Sequence, residues 1–215
     1  MQLGEDVARD SIELTQGSSL VRSRTSDVIF RGGIQGGQTL RVAVDPTITG
    51  NNIPVIWFED SIGDQTAVGS IVIGDPDAAF FGGTRTDVPA VATAVFARFD
   101  DDGNPVSGLS FEVETTGDFV MNPLEKLTAL GDLSVMSGGT ARIGDMNTTG
   151  NLTITAPDIL INTRAAADLV AINDTIDPPA LRPETATPDD GVDFVVGGAA
   201  AFNGVVSVTD ASLPQ

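Results

Sequence analysis

Asp100, Asp102 and Asn104 stand at alternate positions in the stretch Phe99-Asp100-Asp101-Asp102-Gly103-Asn104-Pro105, the most acidic spot in the chain. Three side-chain oxygens at that spacing are what a calcium loop presents to its ion. Two positions depart from the helix-loop-helix calcium loop: its sixth residue would be Pro105 instead of glycine, and its twelfth Phe111 instead of glutamate. The same residues also read as a hairpin turn, with Asp102-Gly103 supplying the turn geometry. Both readings stand at this level, with calcium as the candidate ion. Asp75-Pro76-Asp77 and Asp189-Asp190-Gly191-Val192-Asp193 are weaker versions of the pattern and read as solvated loop acids.

Two further residue sets bear on chemistry. Glu112 and Glu114 share a strand face at spacing two, where paired carboxylates could cleave a glycosidic bond. Trp57, the one tryptophan, offers either a platform for a sugar ring or a core side chain among Val55 and Ile56. The apolar neighbours favour the core. The triplets at Asn147, Asn151 and Asn173 match the glycosylation acceptor, but Asn and Thr are also common at the corners of stacked folds.

Most catalytic schemes are removed by composition. The 215 residues contain no Cys, His or Tyr. That eliminates disulfides, thiolate nucleophiles and His-based triads, together with the usual zinc sites. Thirty acidic residues against eleven basic ones give a formal charge of −19. Such a surface cannot neutralise a run of phosphates, so nucleic acid is not an expected partner. No stretch reaches the roughly 18 apolar residues of a membrane span, so membrane insertion is not expected either.

The elements that would position these residues are strands. Alternating apolar residues, abundant β-branching and frequent Gly/Asn/Asp punctuation predict strands at 11–14, 26–30, 39–44, 54–58, 69–73, 92–99 and 109–113. The pattern resumes at 192–198 and 201–208. Residues 165–171 are the one expected helical stretch, and the Pro- and Asp-rich run 174–191 an exposed loop.

A repeat organises the middle of the chain. Gly131-Asp132-Leu133-Ser134-Val135 returns as Gly150-Asn151-Leu152-Thr153-Ile154. A second short strand follows in each unit, Ala141-Arg142-Ile143 and then Ile159-Leu160-Ile161, and polar corners are expected at 145–147 and 162–164. Strands this short cannot bury a face alone and must stack on the equivalent strand of a neighbouring unit. About 20 residues suffice for one coil of a parallel β-helix. Leu133 should then lie on Leu152 and Val135 on Ile154, with Gly131 and Gly150 at corners. The expected fold is all-β, a right-handed parallel β-helix with an irregular β insertion. An antiparallel β-sandwich is the alternative.

At GDLSVMSGGTARIGD, TTGNLTITAPDILINT and GVDFVVGGAAAFNGVVSVTD the sequence resembles the filamentous haemagglutinin family of secreted bacterial exoproteins. The stretch DSIELTQGSSLVRSRTSDVIFRGGIQGGQTLRV has the same texture. The resemblance implies a right-handed β-solenoid, a secreted or cell-surface location and a structural or adhesive role, with no catalytic residues to transfer. The N-terminus lacks the basic and apolar regions of a signal peptide, which fits an excised piece of a longer exported chain.

The expected organisation is solenoid coils at 1–44, an aromatic-rich β insertion or subdomain at 45–110, coils at 111–173, the loop 174–191, and a final coil and tail at 192–215. Trp57, Phe58, Phe80, Phe81, Phe96 and Phe99 crowd the second of these. The expected function is a non-catalytic structural or adhesive segment that joins other copies end to end into filaments, with no cofactor. The alternatives are a carbohydrate-binding module using Trp57 and a polysaccharide-degrading enzyme.

Overall fold

A computed structural model of the protein describes residues 2–3, 11–23, 26–44, 54–74, 92–100, 102–121, 125–164 and 194–211. The expected helical stretch 165–171, the loop 174–191, and Phe80 and Phe81 lie outside the described residues. Among the described residues every regular element is a strand.

After β1 (Gln2–Leu3) the chain settles into a cycle that visits three faces in a constant order. The first turn is β2 (Ile12–Glu13), β3 (Ser18–Ser23) and β4 (Val28–Phe30), the second β5 (Ile34–Gln35), β6 (Thr39–Val44) and β7 (Val55–Phe58). The third enters through a single bridging residue, Ile62, and continues as β8 (Ser70–Ile73) and β9 (Ala92–Phe96). The fourth is β10 (Leu109–Thr115), β11 (Phe119–Met121) and β12 (Glu125–Ala129), the fifth β13 (Gly131–Ser137), β14 (Thr140–Ile143) and β15 (Asp145–Thr148). In the sixth, β16 (Leu152–Arg164) runs along two faces before β17 (Phe194–Val196), and β18 (Ala200–Ala211) repeats the two-face path.

Each strand pairs in parallel with its counterpart one turn earlier and one turn later. The third face, for example, runs β1-β4-β7-β9-β12-β15-β17. This is a parallel β-solenoid, and the sandwich alternative fails on strand direction. The one antiparallel bridge among the described residues, Phe99↔Pro105, belongs to a hairpin outside the stack. The corners explain why. A hairpin reverses the chain and closes its hydrogen bonds on itself, whereas here the corner amides bond along the axis. Gly139 N–H donates to Gly117 O at 2.8 Å, Gly150 N–H to Gly131 O at 3.0 Å and Gly198 N–H to Gly150 O at 2.9 Å.

The repeat falls in the expected register: Leu133 pairs with Leu152 and Val135 with Ile154, all at most 1% exposed. Ala141 pairs with Ile159 and Ile143 with Ile161. The expected polar corner at 145–147 is instead strand β15, because Met146 and Thr148 alternate inward to the core.

The aromatic-rich stretch is not set apart in its described portions. β7, Ile62, β8 and β9 occupy the same three faces as the rest. Phe30, Phe58 and Phe96 lie in register on the third face and stack, with ring centroids 5.2 and 4.9 Å apart and planes within 8° and 22°. Ala129 comes next in register, and Phe111 from the first face packs 5.7 Å from Phe96, supplying the volume that alanine leaves. What hides the repeat here is unequal spacing. The described second-face strands end at Val44, Ile73 and Arg164 and the third-face strands that follow them begin at Val55, Ala92 and Phe194, so the separation along the sequence differs greatly from turn to turn.

Candidate functional site

The third face alternates inward and outward residues, so with Ile56 and Phe58 in the core, Trp57 must point out. It is half-buried on the outer wall, which corrects the expectation of a core residue. Its indole Nε1–H donates to Asp27 Oδ2 at 3.1 Å, while Asp27 Oδ1 accepts the Val55 N–H at 2.9 Å. Phe99 meets the indole edge-on, centroids 5.4 Å apart and planes at 69°. Val55, Val95 and Ala97 are buried beneath, with Trp57, Phe99 and Leu130 packed against them.

This outer cluster exists because the chain makes a hairpin after β9. Val106 N–H donates to Arg98 O at 2.8 Å and Asp100 N–H to Asn104 O at 2.9 Å. Arg98 anchors the base of the hairpin, its guanidinium 3.4 Å from Asp60 and its Nε–H donating to Glu59 O. Val95, outward yet 0% exposed, is therefore in a second small core outside the shaft. Sequence reasoning missed Asp27, Arg98 and Phe99 as partners here. The alternation of Val55-Ile56-Trp57-Phe58 was the signal that could have placed Trp57 outside.

Asp100, Asp102 and Asn104 form the tip of that hairpin. Asp100 Oδ1 accepts the backbone N–H of Asp102 at 3.0 Å and of Asn104 at 2.8 Å, and the Asn104 amide lies 3.5 Å from both carboxylate oxygens. Gly103 takes φ +80°, as the turn requires. The turn geometry thus uses the carboxylate, and a cation would have to share an oxygen that already closes the loop. Among the described residues no three His, Cys, Asp or Glu side chains gather as a metal-holding group. Asp100→Ala is expected to lower stability by about 1 kcal/mol, and Asp100→Asn by less because it keeps an acceptor, as read by urea denaturation.

Asp132 and Asn151, at the repeat's Gly-Asx positions, serve corners. Asp132 Oδ1 accepts the Asn151 N–H at 2.7 Å, and Asn151 Oδ1 accepts the Ala199 N–H at 2.9 Å, one turn further on. Gly131 and Gly150 flank this ladder, while Leu133, Val135, Leu152 and Ile154 line the interior. Glu112 and Glu114 point outward from β10, and the in-register positions of the next turn carry Ser134 and Met136, not acids.

Among the described residues the geometry offers one place suited to a ligand, the outer aromatic pair on the third face. A half-buried indole with a fixed N–H and an aromatic neighbour presents an apolar plane with the Asp27 carboxylate at its edge, which suits the C–H face of a pyranose. In comparisons with protein-family models, curated proteins and solved structures, the chain matches none of them.

Proposed function

We propose that the chain is a non-catalytic structural and adhesive segment of a secreted or cell-surface bacterial protein, of the filamentous haemagglutinin-like kind that its strand-and-corner texture resembles. The observation that supports this reading is the use to which the residues are put. Inward positions fill one continuous apolar interior, and Asp132 and Asn151 of the repeat are committed to corner amides. What is left for recognition among the described residues is the outer wall. The test coats inert beads with the 215-residue chain and scores their retention on cell-surface and extracellular polysaccharides. Release of reducing ends is measured in parallel with calcium present. Retention without release is expected. Release that disappears in Glu112→Gln or Glu114→Gln overturns the non-catalytic reading, and absence of retention on every surface overturns the adhesive one.

A carbohydrate-binding reading is favoured by one specific observation, the outward Trp57 braced by Asp27 and Phe99. Loss of one aromatic stacking contact is worth about 1–1.5 kcal/mol, so Trp57→Ala should weaken binding to a glycan-array hit about tenfold. Unchanged binding in that variant removes Trp57 from the reading.

A further inference from the structure

We propose that Arg98 is a positioning residue for the Trp57 platform, and that through it ionic strength sets how firmly the indole is held, so that even an uncharged ligand binds more weakly as salt rises. The inference rests on the carbohydrate-binding reading of Trp57 above and adds to it what fixes the ring and what loosens it.

The indole is held from two neighbouring turns. Asp27, from the turn before, accepts its Nε1–H at 3.1 Å. Phe99, from the turn after, meets it edge-on with centroids 5.4 Å apart. Asp27 sits at the start of a shaft strand, and its other oxygen accepts the Val55 N–H at 2.9 Å. Phe99 has no such footing. It stands on the hairpin beyond the end of β9 and reaches Trp57 only while the hairpin is tied to the shaft.

Arg98 is the tie. Its carbonyl accepts the Val106 N–H at 2.8 Å and so closes the hairpin, while its side chain turns to the shaft. There Nε–H donates to Glu59 O at 3.4 Å, and the guanidinium lies 3.4 Å from Asp60 Oδ1. The receiving corner is fixed from several sides. Asp60 Oδ1 accepts the Ser61 N–H at 2.9 Å, Glu59 N–H donates to Phe30 O at 2.9 Å, and Ala97 N–H donates to Phe58 O at 3.0 Å. The tip has no comparable hold among the described residues. Asp102, Gly103, Asn104 and Pro105 are exposed, and a Cβ added at Gly103 or Gly108 would meet nothing within 4 Å. The position of the Phe99 ring is therefore set at residue 98.

An ion pair in this setting responds to salt. The two side chains are 28% and 25% exposed, so ions reach them. At about 1 M salt the screening length is about 3 Å, shorter than the 3.4 Å between the charges. The remaining bond to Glu59 O is long and does not replace the pair. A partly exposed pair is worth a factor of about 1.5 to 5 in an equilibrium.

The experiment reads Trp57, the one tryptophan, by its fluorescence in the 215-residue chain. Acrylamide quenching is measured at low salt and at about 1 M, and cellohexaose, an uncharged oligosaccharide, is titrated under both conditions. In wild type quenching should rise with salt, and cellohexaose affinity should fall about threefold. Arg98→Ala and Asp60→Asn should show the high-salt values already at low salt and change little further. Arg31→Ala breaks the neighbouring pair with Glu59, which includes no hairpin residue, and should behave like wild type. Circular dichroism checks that each variant is folded. If Arg98→Ala is not, Asp60→Asn, which keeps an acceptor for the Ser61 N–H, decides. Quenching that is the same in wild type and both folded variants overturns the proposal. So does a salt response that survives in both, or one that Arg31→Ala abolishes as completely. The expected quenching pattern with no glycan bound overturns the carbohydrate reading and leaves Arg98 as the holder of the indole. Cellohexaose affinity that Trp57→Ala lowers but neither salt nor the Arg98 and Asp60 variants move overturns the positioning and leaves the carbohydrate reading standing.

Discussion

Replacing Phe58 by Ala should lower the stability of the chain by about 3–5 kcal/mol, the range for emptying a buried aromatic site. Phe58 is 1% exposed and lies between Phe30 and Phe96, with ring centroids 5.2 and 4.9 Å away. Truncation removes both stacking partners at once, each pair worth about 0.5–1.5 kcal/mol beyond its buried area. The strands above and below cannot close the gap, because interstrand spacing is held near 4.8 Å by the backbone ladder. Phe58→Leu, which keeps most of the volume, should fall well short of the alanine effect. Urea denaturation read by far-UV circular dichroism measures both. A solenoid is stabilised turn against turn, so the slope of the transition must be compared as well as its midpoint. A loss below about 1.5 kcal/mol for the alanine variant would mean that the stack is not the interior of the shaft.

Gly131→Ala is the second large effect, expected at about 2–3 kcal/mol from backbone strain and crowding together. Gly131 has φ +153° and pairs with Leu109 on the turn below. An added Cβ would lie 2.8 Å from the carbonyl carbon of Leu109 and closer still to its oxygen. That oxygen is backbone, so nothing flexible can yield. Gly37 supplies the control: a Cβ there meets nothing within 4 Å and its φ lies in the ordinary region. Gly37→Ala should be neutral or slightly stabilising, through the smaller entropy of its unfolded chain. Equal melting temperatures for the two variants would sink the argument that the corner demands glycine.

The repeat was readable at Leu133/Leu152 and Val135/Ile154 because nothing is inserted in the 19-residue step from Asp132 to Asn151. One turn earlier the same stacking continues, Phe111 on Leu133 and Val113 on Val135, yet the sequence pattern looked irregular there. The reason is a difference of corner. Gly117-Asp118-Phe119 resembles Gly131-Asp132-Leu133, but it lies between the first and second faces, where Asp118 Oδ1 accepts the Thr140 N–H at 2.8 Å. Gly131-Asp132 lies between the third and first faces. Both corners need the same two things, close backbone approach and an acceptor for an amide of the next turn. Similar residues therefore mark different phases of one coil.

By itself the sequence determined the alternation that makes strands, the Gly-Asx punctuation between them, and the absence of Cys and His chemistry. These depend on neighbours a few residues apart. That the corners turn the strands without reversing them was decided by the tertiary structure. Only the tertiary structure decided what meets on the outer wall: Trp57 with Asp27 and Phe99, and Arg98 with Asp60. It also decided that Phe58 and Phe96 belong to one stack with Phe30 rather than to an inserted subdomain. Loop-closure entropy grows only with the logarithm of loop length, so a solenoid tolerates departures of very different size between one turn and the next. Separation along the chain then carries little information about which outward residues become neighbours, and the stacking of turns alone sets it.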